Sequence, residues 1–280
     1  MGSNFEQRVL LIAKLALFLQ MDYNVITMST EIKKTEDLSL NAWPSHQMQV
    51  YDGWILRFSY FYTHRTNCVE QIGPSSLPLP EKISYCEEVY RYWKTPCIFK
   101  ISPVTDPELD RLLAERNYRI EHPVFVMTRR LDSLAKSSPL PEGYRIMVRP
   151  RADSEWIDRL FALKGNISPV HRAIVPHMYA AIPKDEIAVT VLYGNETAGI
   201  GLGILDRGSA GIYAIHVNEA HRKKGIATAV INSILHEASS AHAQTAYLQV
   251  MEDNHPAICL YRKLGFSYSY RCYFRVREVL

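Results

Sequence analysis

From residue 144 onward the apolar positions fall into blocks of two different periods. Tyr144 to Arg149 alternates apolar with polar residues, the period-two signature of a strand with one buried face. Ile187 to Tyr193, Gly199 to Asp206, Gly211 to Val217 and Thr245 to Val250 also read as strands, and Gly194-Asn195-Glu196 supplies a hairpin turn between the first two. Ser154 to Leu163, entered through the capping run Ala152-Asp153-Ser154, and His171 to Ala181 read as helices. Ala227 to Ala241 is a further helix, with apolar Ala227, Val230, Ile231, Ile234, Leu235 and Ala238 along one face. His255 to Leu264 is helical, and Phe266 to Val276 is a last strand. Strands that first follow one another and then alternate with helices predict a mixed sheet in an α+β fold.

The preceding residues repeat this plan in worn form. Trp54 to Tyr62 and Thr66 to Val69 read as strands, Glu81 to Trp93 as a helix, Cys97 to Ile101 as a short strand, Leu109 to Arg116 as a helix and Tyr118 to Arg129 as extended chain. The two halves end alike. Leu112-Leu113-Ala114-Glu115-Arg116-Asn117-Tyr118 has the layout of Leu260-Tyr261-Arg262-Lys263-Leu264-Gly265-Phe266. In both, a helix stops at a residue suited to left-handed geometry and an aromatic opens a long strand. This predicts two copies of one fold, spanning 29–132 and 144–280, joined by the breaker-rich stretch 133–143. Residues 1–28 precede the repeat. Their apolar run, Val9 to Leu19, is broken by Lys14 and is shorter than the ~20 residues a membrane span needs. Glu6 precedes Arg8, and no small-residue cleavage site follows Leu19, so this segment reads as a helical extension rather than a signal peptide.

A chain of 280 residues accommodates two domains, and a net charge of +3 without a basic run or basic helix gives no case for nucleic acid or a membrane surface as partner. The five cysteines, Cys68, Cys86, Cys97, Cys259 and Cys272, are widely spaced with no CxxC pair. That argues against a disulfide framework or a structural metal and suits reduced thiols in a cytoplasm. Whether the chain is a monomer or a homodimer is not written in the sequence.

The chemistry centres on the segment before the helix at Ala227. A strand ending in Ile215-His216-Val217 leads through Asn218-Glu219-Ala220-His221 into Arg222-Lys223-Lys224-Gly225-Ile226-Ala227. A loop that opens a helix presents unpaired N–H groups at the positive end of the helix dipole, a natural anion site. Gly225 lets the backbone approach phosphate closely, and Arg222, Lys223 and Lys224 add positive charge. The segment is neither a Walker loop nor a GxGxxG fingerprint.

It resembles the Arg/Gln-x-x-Gly-x-Gly/Ala signature of the GCN5-related N-acetyltransferases. Downstream, Asn254 follows the fifth strand, and Ala257-Ile258-Cys259-Leu260-Tyr261-Arg262-Lys263-Leu264-Gly265-Phe266 is similar to that family's Ala-x-x-Leu-Tyr-x-Lys-x-Gly-Phe. The resemblance covers residues 141–280. It implies a tandem fold in which each half is a mixed, mostly antiparallel, twisted sheet flanked by helices. It implies acetyl-CoA as the acyl donor, with no metal. The pantetheine arm would lie along Ile215, His216 and Val217. The pyrophosphate would sit on Arg222, Lys223, Lys224, Gly225, Ile226, Ala227 and Thr228. Asn254, Ala257 and Tyr261 would complete the cofactor site.

Tyr261 matches the residue that protonates the departing thiolate in such enzymes, and the N–H of Val217 matches the oxyanion donor. The position where some members carry a glutamate base is Gly211 here, which leaves Tyr213, Asp206 or a water relay as alternatives. The first half has Gln71-Ile72-Gly73-Pro74-Ser75-Ser76-Leu77-Pro78-Leu79-Pro80 at its own loop, where prolines supply no N–H donor, so this copy is not expected to bind CoA. Its Asn41-Ala42-Trp43-Pro44 and Tyr51-Asp52-Gly53-Trp54-Ile55-Leu56-Arg57 are similar to bacterial two-domain acetyltransferases with a degenerate first half. Trp43, Trp54 and Arg57 are candidates for core, interface or substrate contact. The expected function is acetyl transfer to a primary amine of a small molecule or an amino acid. Acetylation of a protein N-terminus or lysine, and CoA binding without turnover, are the alternatives.

Overall fold

The computed structural model describes residues 28–132 and 140–279. All but the last residue of the expected extension at 1–28, and most of the joint between the halves, lie outside the described residues. A helix at 28–42, α1, opens the described chain. It is followed by β1 (Gln47–Tyr51), β2 (Trp54–Phe58), β3 (Val69–Gln71), α2 (Leu79–Tyr92), β4 (Cys97–Ile101), α3 (Pro107–Glu115) and β5 (Arg119–Arg130). The second half comprises β6 (Tyr144–Arg149), α4 (Ser154–Lys164), α5 (Pro169–Ala180), β7 (Asp185–Tyr193), β8 (Glu196–Asp206), β9 (Ser209–Val217), α6 (Ile226–Ser240), β10 (Thr245–Met251), α7 (His255–Lys263) and β11 (Ser267–Arg277). No helix among the described residues is long and apolar enough to cross a membrane.

All the strands join one sheet in the order β1-β2-β3-β4-β11-β5-β10-β9-β8-β7-β6. The halves therefore interleave. β5 lies between β10 and β11, the last two strands of the second half, and β11 lies between β4 and β5, the last two of the first. Each half repeats one crossover: β3 and β4 are parallel and joined through α2, and β9 and β10 are parallel and joined through α6.

Two cores of the second half sit on opposite faces of this sheet. One holds Ile231, Ile234 and Leu235 of α6 with Ile258 and Tyr261 of α7. The other holds Trp43, Trp156, Leu160, Val175 and Tyr179 against Tyr213 and Tyr247. Alternate glycines of β8 let α6 seat close to the sheet. A Cβ at Gly199, Gly201 or Gly203 would come within 2.6, 2.5 and 2.6 Å of Ile226, Val230 and Ile234 respectively.

Helix α1 crosses the seam between the halves. Ile32 meets Val124, Val126, Tyr270 and Cys272, whereas Leu38 and Ala42 join the core around Trp43. The rest of its buried stripe is polar: Thr35, Glu36 and Ser39 all face inward. Glu36 accepts from Tyr270 Oη at 2.6 Å and pairs with Lys100 at 3.0 Å. Lys100 also meets Glu70 at 3.2 Å, and Glu70 meets Arg57 at 3.2 Å. Two cations and two carboxylates thus balance inside the sheet's first half, and removing one partner would strand a buried charge.

Two expected spans are corrected. The strand opening at Trp54 ends at Phe58, not Tyr62, because Tyr60 and Phe61 turn into left-handed geometry at φ +51° and +56°. Their turn is held by Asn67, whose Oδ1 accepts from the N–H groups of Ser59 and Phe61. Thr66 belongs to a single 3-10 turn, His64–Thr66, and the strand expected there begins at Val69.

Candidate active site

Strands β9 and β10 pair only from Ser209/Thr245 to Ile212/Leu248 and then part. The parting coincides with a bulge on β9. Its ladder with β8 slips between Leu202↔Tyr213 and Ile200↔His216, and Ala214 takes φ +51°. A bulge adds a residue and bends its strand, and here it bends β9 away from β10. Beyond it Asn218 N–H donates to Ala198 O at 3.0 Å. Antiparallel pairs alternate between bonded and non-bonded, so the Val217 N–H and C=O face away from β8, into the gap.

The gap opens a cleft of about 350 Å³ through the sheet, lined from one face by Ile212, Ile215 and Tyr261 and from the other by Trp43, Leu160, Tyr179 and Tyr213. Tyr261 is buried, its ring 6.1 Å from Phe266, and burial pushes its phenol up, so the proton stays on Oη at neutral pH. His216 also lines the cleft. Burial, then the charge of Lys164, lower its pKa to about 4, which leaves a neutral imidazole.

Gly225 is the N-cap of α6 at φ +80°, and no side chain caps the helix. The N-caps of α3, α4, α5 and α7 are by contrast Asp106, Asp153, Ser168 and Asn254, each accepting from a first-turn N–H. The first N–H groups of α6 therefore remain for an external anion. A Cβ at Gly225 would meet nothing within 4 Å, so the approach is open. Lys223 is left-handed at φ +62°, Arg222 pairs with Glu219 at 3.0 Å, and Lys224 donates to Ala220 O at 3.0 Å, all three exposed. Ile226 is buried beneath β8, so only its backbone can reach a ligand, whereas Ala227 and Thr228 are half-buried. Asn254 is exposed and caps α7 by accepting from the N–H of half-buried Ala257 at 3.2 Å. Uncapped helix, open glycine and parted strands together fit a pyrophosphate with an extended arm.

The matching loop of the first half is filled by the chain itself. The Asp52 carboxylate, from the β1–β2 turn, accepts from Ser76 N, Leu77 N and Ser76 Oγ at 3.0, 2.9 and 2.8 Å. These hydrogen bonds hold it well below the usual carboxylate range, and Lys82, fully buried, pairs with it at 3.2 Å. The position that α6 leaves open is thus closed at α2 by an internal anion.

The base alternatives separate on geometry. Asp206 sits at the opposite end of β9 from Val217, hydrogen-bonded to Asn41 and Lys184 at 3.1 and 3.0 Å. Tyr213 lines the cleft but is buried, shares a 2.7 Å hydrogen bond with Tyr247, and is pushed up by burial, which disfavours its anion. The space that a side chain at Gly211 would need is taken by the rings of Tyr213 and Tyr247. Trp54 is core and Arg57 lies in the buried ion network, so neither lines the cleft. Trp43 does, edge-on to Tyr179 and Tyr213. Sequence reasoning missed Tyr62, Arg65, Lys164 and Gln249, which line the same cleft from distant segments and belong to no motif.

Residues 29–275 match the family model described as "Probable histone acetyltransferase Rv0428c C-terminal". A Bacillus subtilis (strain 168) protein described as "Uncharacterized N-acetyltransferase YobR" is 28% identical over 250 residues, 89% of this chain and 99% of that one. A GCN5-related N-acetyltransferase from Kribbella flavida superposes with a TM-score of 0.66 at 14% identity, over 89% of this chain and 95% of its own. A tandem protein of the same superfamily, from the clavulanic acid biosynthesis pathway, does so with a TM-score of 0.61 at 14% identity, over 72% and 70%.

Proposed function

Because the chain belongs to the GCN5-related N-acetyltransferase superfamily, within the family of Rv0428c-type C-terminal domains, we propose that its second half transfers an acetyl group from acetyl-CoA to the primary amine of a small molecule or an amino acid. The observation that carries the reading is the bulged, parted β9–β10 pair, which joins the open N-terminus of α6 to a through-sheet cleft containing Tyr261. The first-turn N–H groups of α6, with Gly225, would hold the pyrophosphate. The free edge of β9 at Ile215 and Val217 would run beside the pantetheine arm. When bound, acetyl-CoA supplies an activated acetyl thioester and a thiol leaving group.

The chain's own part is to position and to manage protons. The Val217 N–H faces the gap and is set to donate to a carbonyl oxygen there. Tyr261 keeps a proton on Oη, available to a departing thiolate. Neutral His216 orients the incoming amine without adding charge. Buried unpaired thiols at Cys68, Cys86, Cys97 and Cys272 support a cytoplasmic setting.

Thiol release from acetyl-CoA across an amine panel tests the reading. Gly225→Glu should abolish CoA binding in calorimetry while leaving the melting temperature close to wild type, since the space is open and only the left-handed backbone objects, at roughly 1–2 kcal/mol. Unchanged CoA affinity in that variant would end the phosphate-loop assignment. Tyr261→Phe should lower kcat about a hundredfold with KM for acetyl-CoA nearly constant.

A further inference from the structure

The charges of the cleft are one-sided. Among the described residues its lining contains Arg65 and Lys164 and not one carboxylate. A second hollow of about 260 Å³ adjoins it, sharing Tyr62, Thr63, Arg65 and Gln249, and it too lacks a carboxylate. The chain as a whole carries 29 acidic residues against 32 basic ones, so this exclusion is not a reflection of composition. Lys100 also borders the second hollow, but its charge is met by Glu36 and Glu70. Among the described residues, Arg65 and Lys164 have no such counter-ions in the cleft.

Both cations are held by neutral groups. The Arg65 carbonyl accepts from Arg57 Nη1 at 2.6 Å, which fixes the backbone of the turn. Its Nε donates to Gln249 Oε1 at 2.9 Å, and Gln249 Nε2 donates to Ser39 Oγ at 3.2 Å. The guanidinium is thereby braced from α1 and β10 through its Nε, which leaves the terminal nitrogens as a fork. Lys164, at the end of α4, donates to Tyr62 Oη at 2.9 Å and lies 4.6 Å from that ring's centre. Its field reaches the bulge, since it is the second cause of the lowered His216 pKa. A braced guanidinium fork suits a carboxylate, and half-buried Arg65 gains more from one than exposed Lys164 does.

We infer that the acceptor is an amine bearing a carboxylate, which Arg65 and Lys164 hold while the amine reaches the gap beside Ala214 and His216. This rests on the acetyl-transfer reading above. The same cations disfavour an ammonium in the cleft, so the acceptor's amine is pushed toward its neutral, nucleophilic form. They equally disfavour polyamines and basic peptide tails, which would bring cations against cations. A cleft of about 350 Å³ suits a small acceptor.

The test uses the full chain, acetyl-CoA and matched acceptors: free amino acids, the same amino acids as carboxamides, spermidine and a lysine-rich peptide. The expected result is a kcat/KM for the free acids at least about tenfold above that of their amides, with spermidine and the peptide poorest. Arg65→Gln and, separately, the solvent-exposed Lys164→Gln should each raise KM for the acid and shrink the acid-to-amide ratio, leaving KM for acetyl-CoA unchanged. Thiol release with amides, spermidine or the peptide used as well as the acids overturns the inference and leaves acetyl transfer standing. A ratio unmoved in both variants overturns it also. No thiol release from any amine, with acetyl-CoA bound, overturns both.

Discussion

His216 shows how a single side chain acquires its state from three sources. The strand places it on β9, the bulge at Ala214 turns it toward the cleft, and burial with Lys164 nearby removes its charge. Its folded pKa is about 4, against about 6.5 for an unfolded histidine. Between those values the unfolded chain binds the proton and the folded chain does not, so stability rises with pH across that window. The contribution is complete above about pH 6.5 and gone below about pH 4, with an upper size of roughly 3.5 kcal/mol. Urea unfolding of wild type and His216→Gln at pH 7 and pH 4.5 measures it. The wild type should lose more stability on acidification than the variant, and parallel losses would mean that the imidazole is not held neutral. The loop and Tyr261 were legible from the sequence because their motif is contiguous. The side that His216 faces was not, because strand alternation alone cannot reveal that Ala214 adds a residue to the count.

At the scale of elements, α2 and α6 are two copies of one crossover with opposite fates. Both follow a loop after a strand, and both lack a side-chain cap at the N-cap residue itself. At α6 the entrance stays open beside Gly225; at α2 the Asp52 carboxylate and Lys82 occupy it. The chain should therefore bind one CoA, and isothermal titration should give a stoichiometry of one. Asp52→Ala should lower the melting temperature, because buried Lys82 loses its counter-ion, yet leave that stoichiometry at one, since Pro74, Pro78 and Pro80 still withhold donors. A second binding event in the variant would refute the closed-loop account. The elements of the second half follow hydrophobic periodicity closely, since one face of each meets an apolar core. Helix α1 escapes that test because Thr35, Glu36 and Ser39 occupy its buried stripe. Arg65 and Gln249 meet across 184 residues of sequence, a separation no local pattern spans.

On the scale of the whole molecule, the repeat reads as two units in sequence and one sheet in space. The similar endings around Asn117 and Gly265 announce a duplicated helix-turn-strand, but nothing in them reveals that the two final strands interleave. β5 pairs with β10 along Val124 to Arg130 and with β11 along most of its length, and β11 pairs with β4 from Cys97 to Ile101. The consequence is that neither half owns a complete sheet. Without β5, strands β10 and β11 each lose an antiparallel partner, and closing the gap directly would bring them together in parallel and shift β11 with α7 by about 4.8 Å. Val126 and Met127, fully buried on β5, would leave the centre of two cores. Unpaired edges of this kind favour aggregation. Residues 140–280 expressed alone should be insoluble or fail to bind CoA, and so should 1–139, whereas co-expression of the two pieces should restore a soluble complex that binds CoA. The intact chain should unfold in urea as one transition, with tryptophan fluorescence and far-ultraviolet dichroism coinciding. An isolated second half that is monomeric and binds CoA with the affinity of the whole chain would show the interleaving to be dispensable. The tandem arrangement would then serve only to frame the acceptor cleft, not to complete the sheet that carries it.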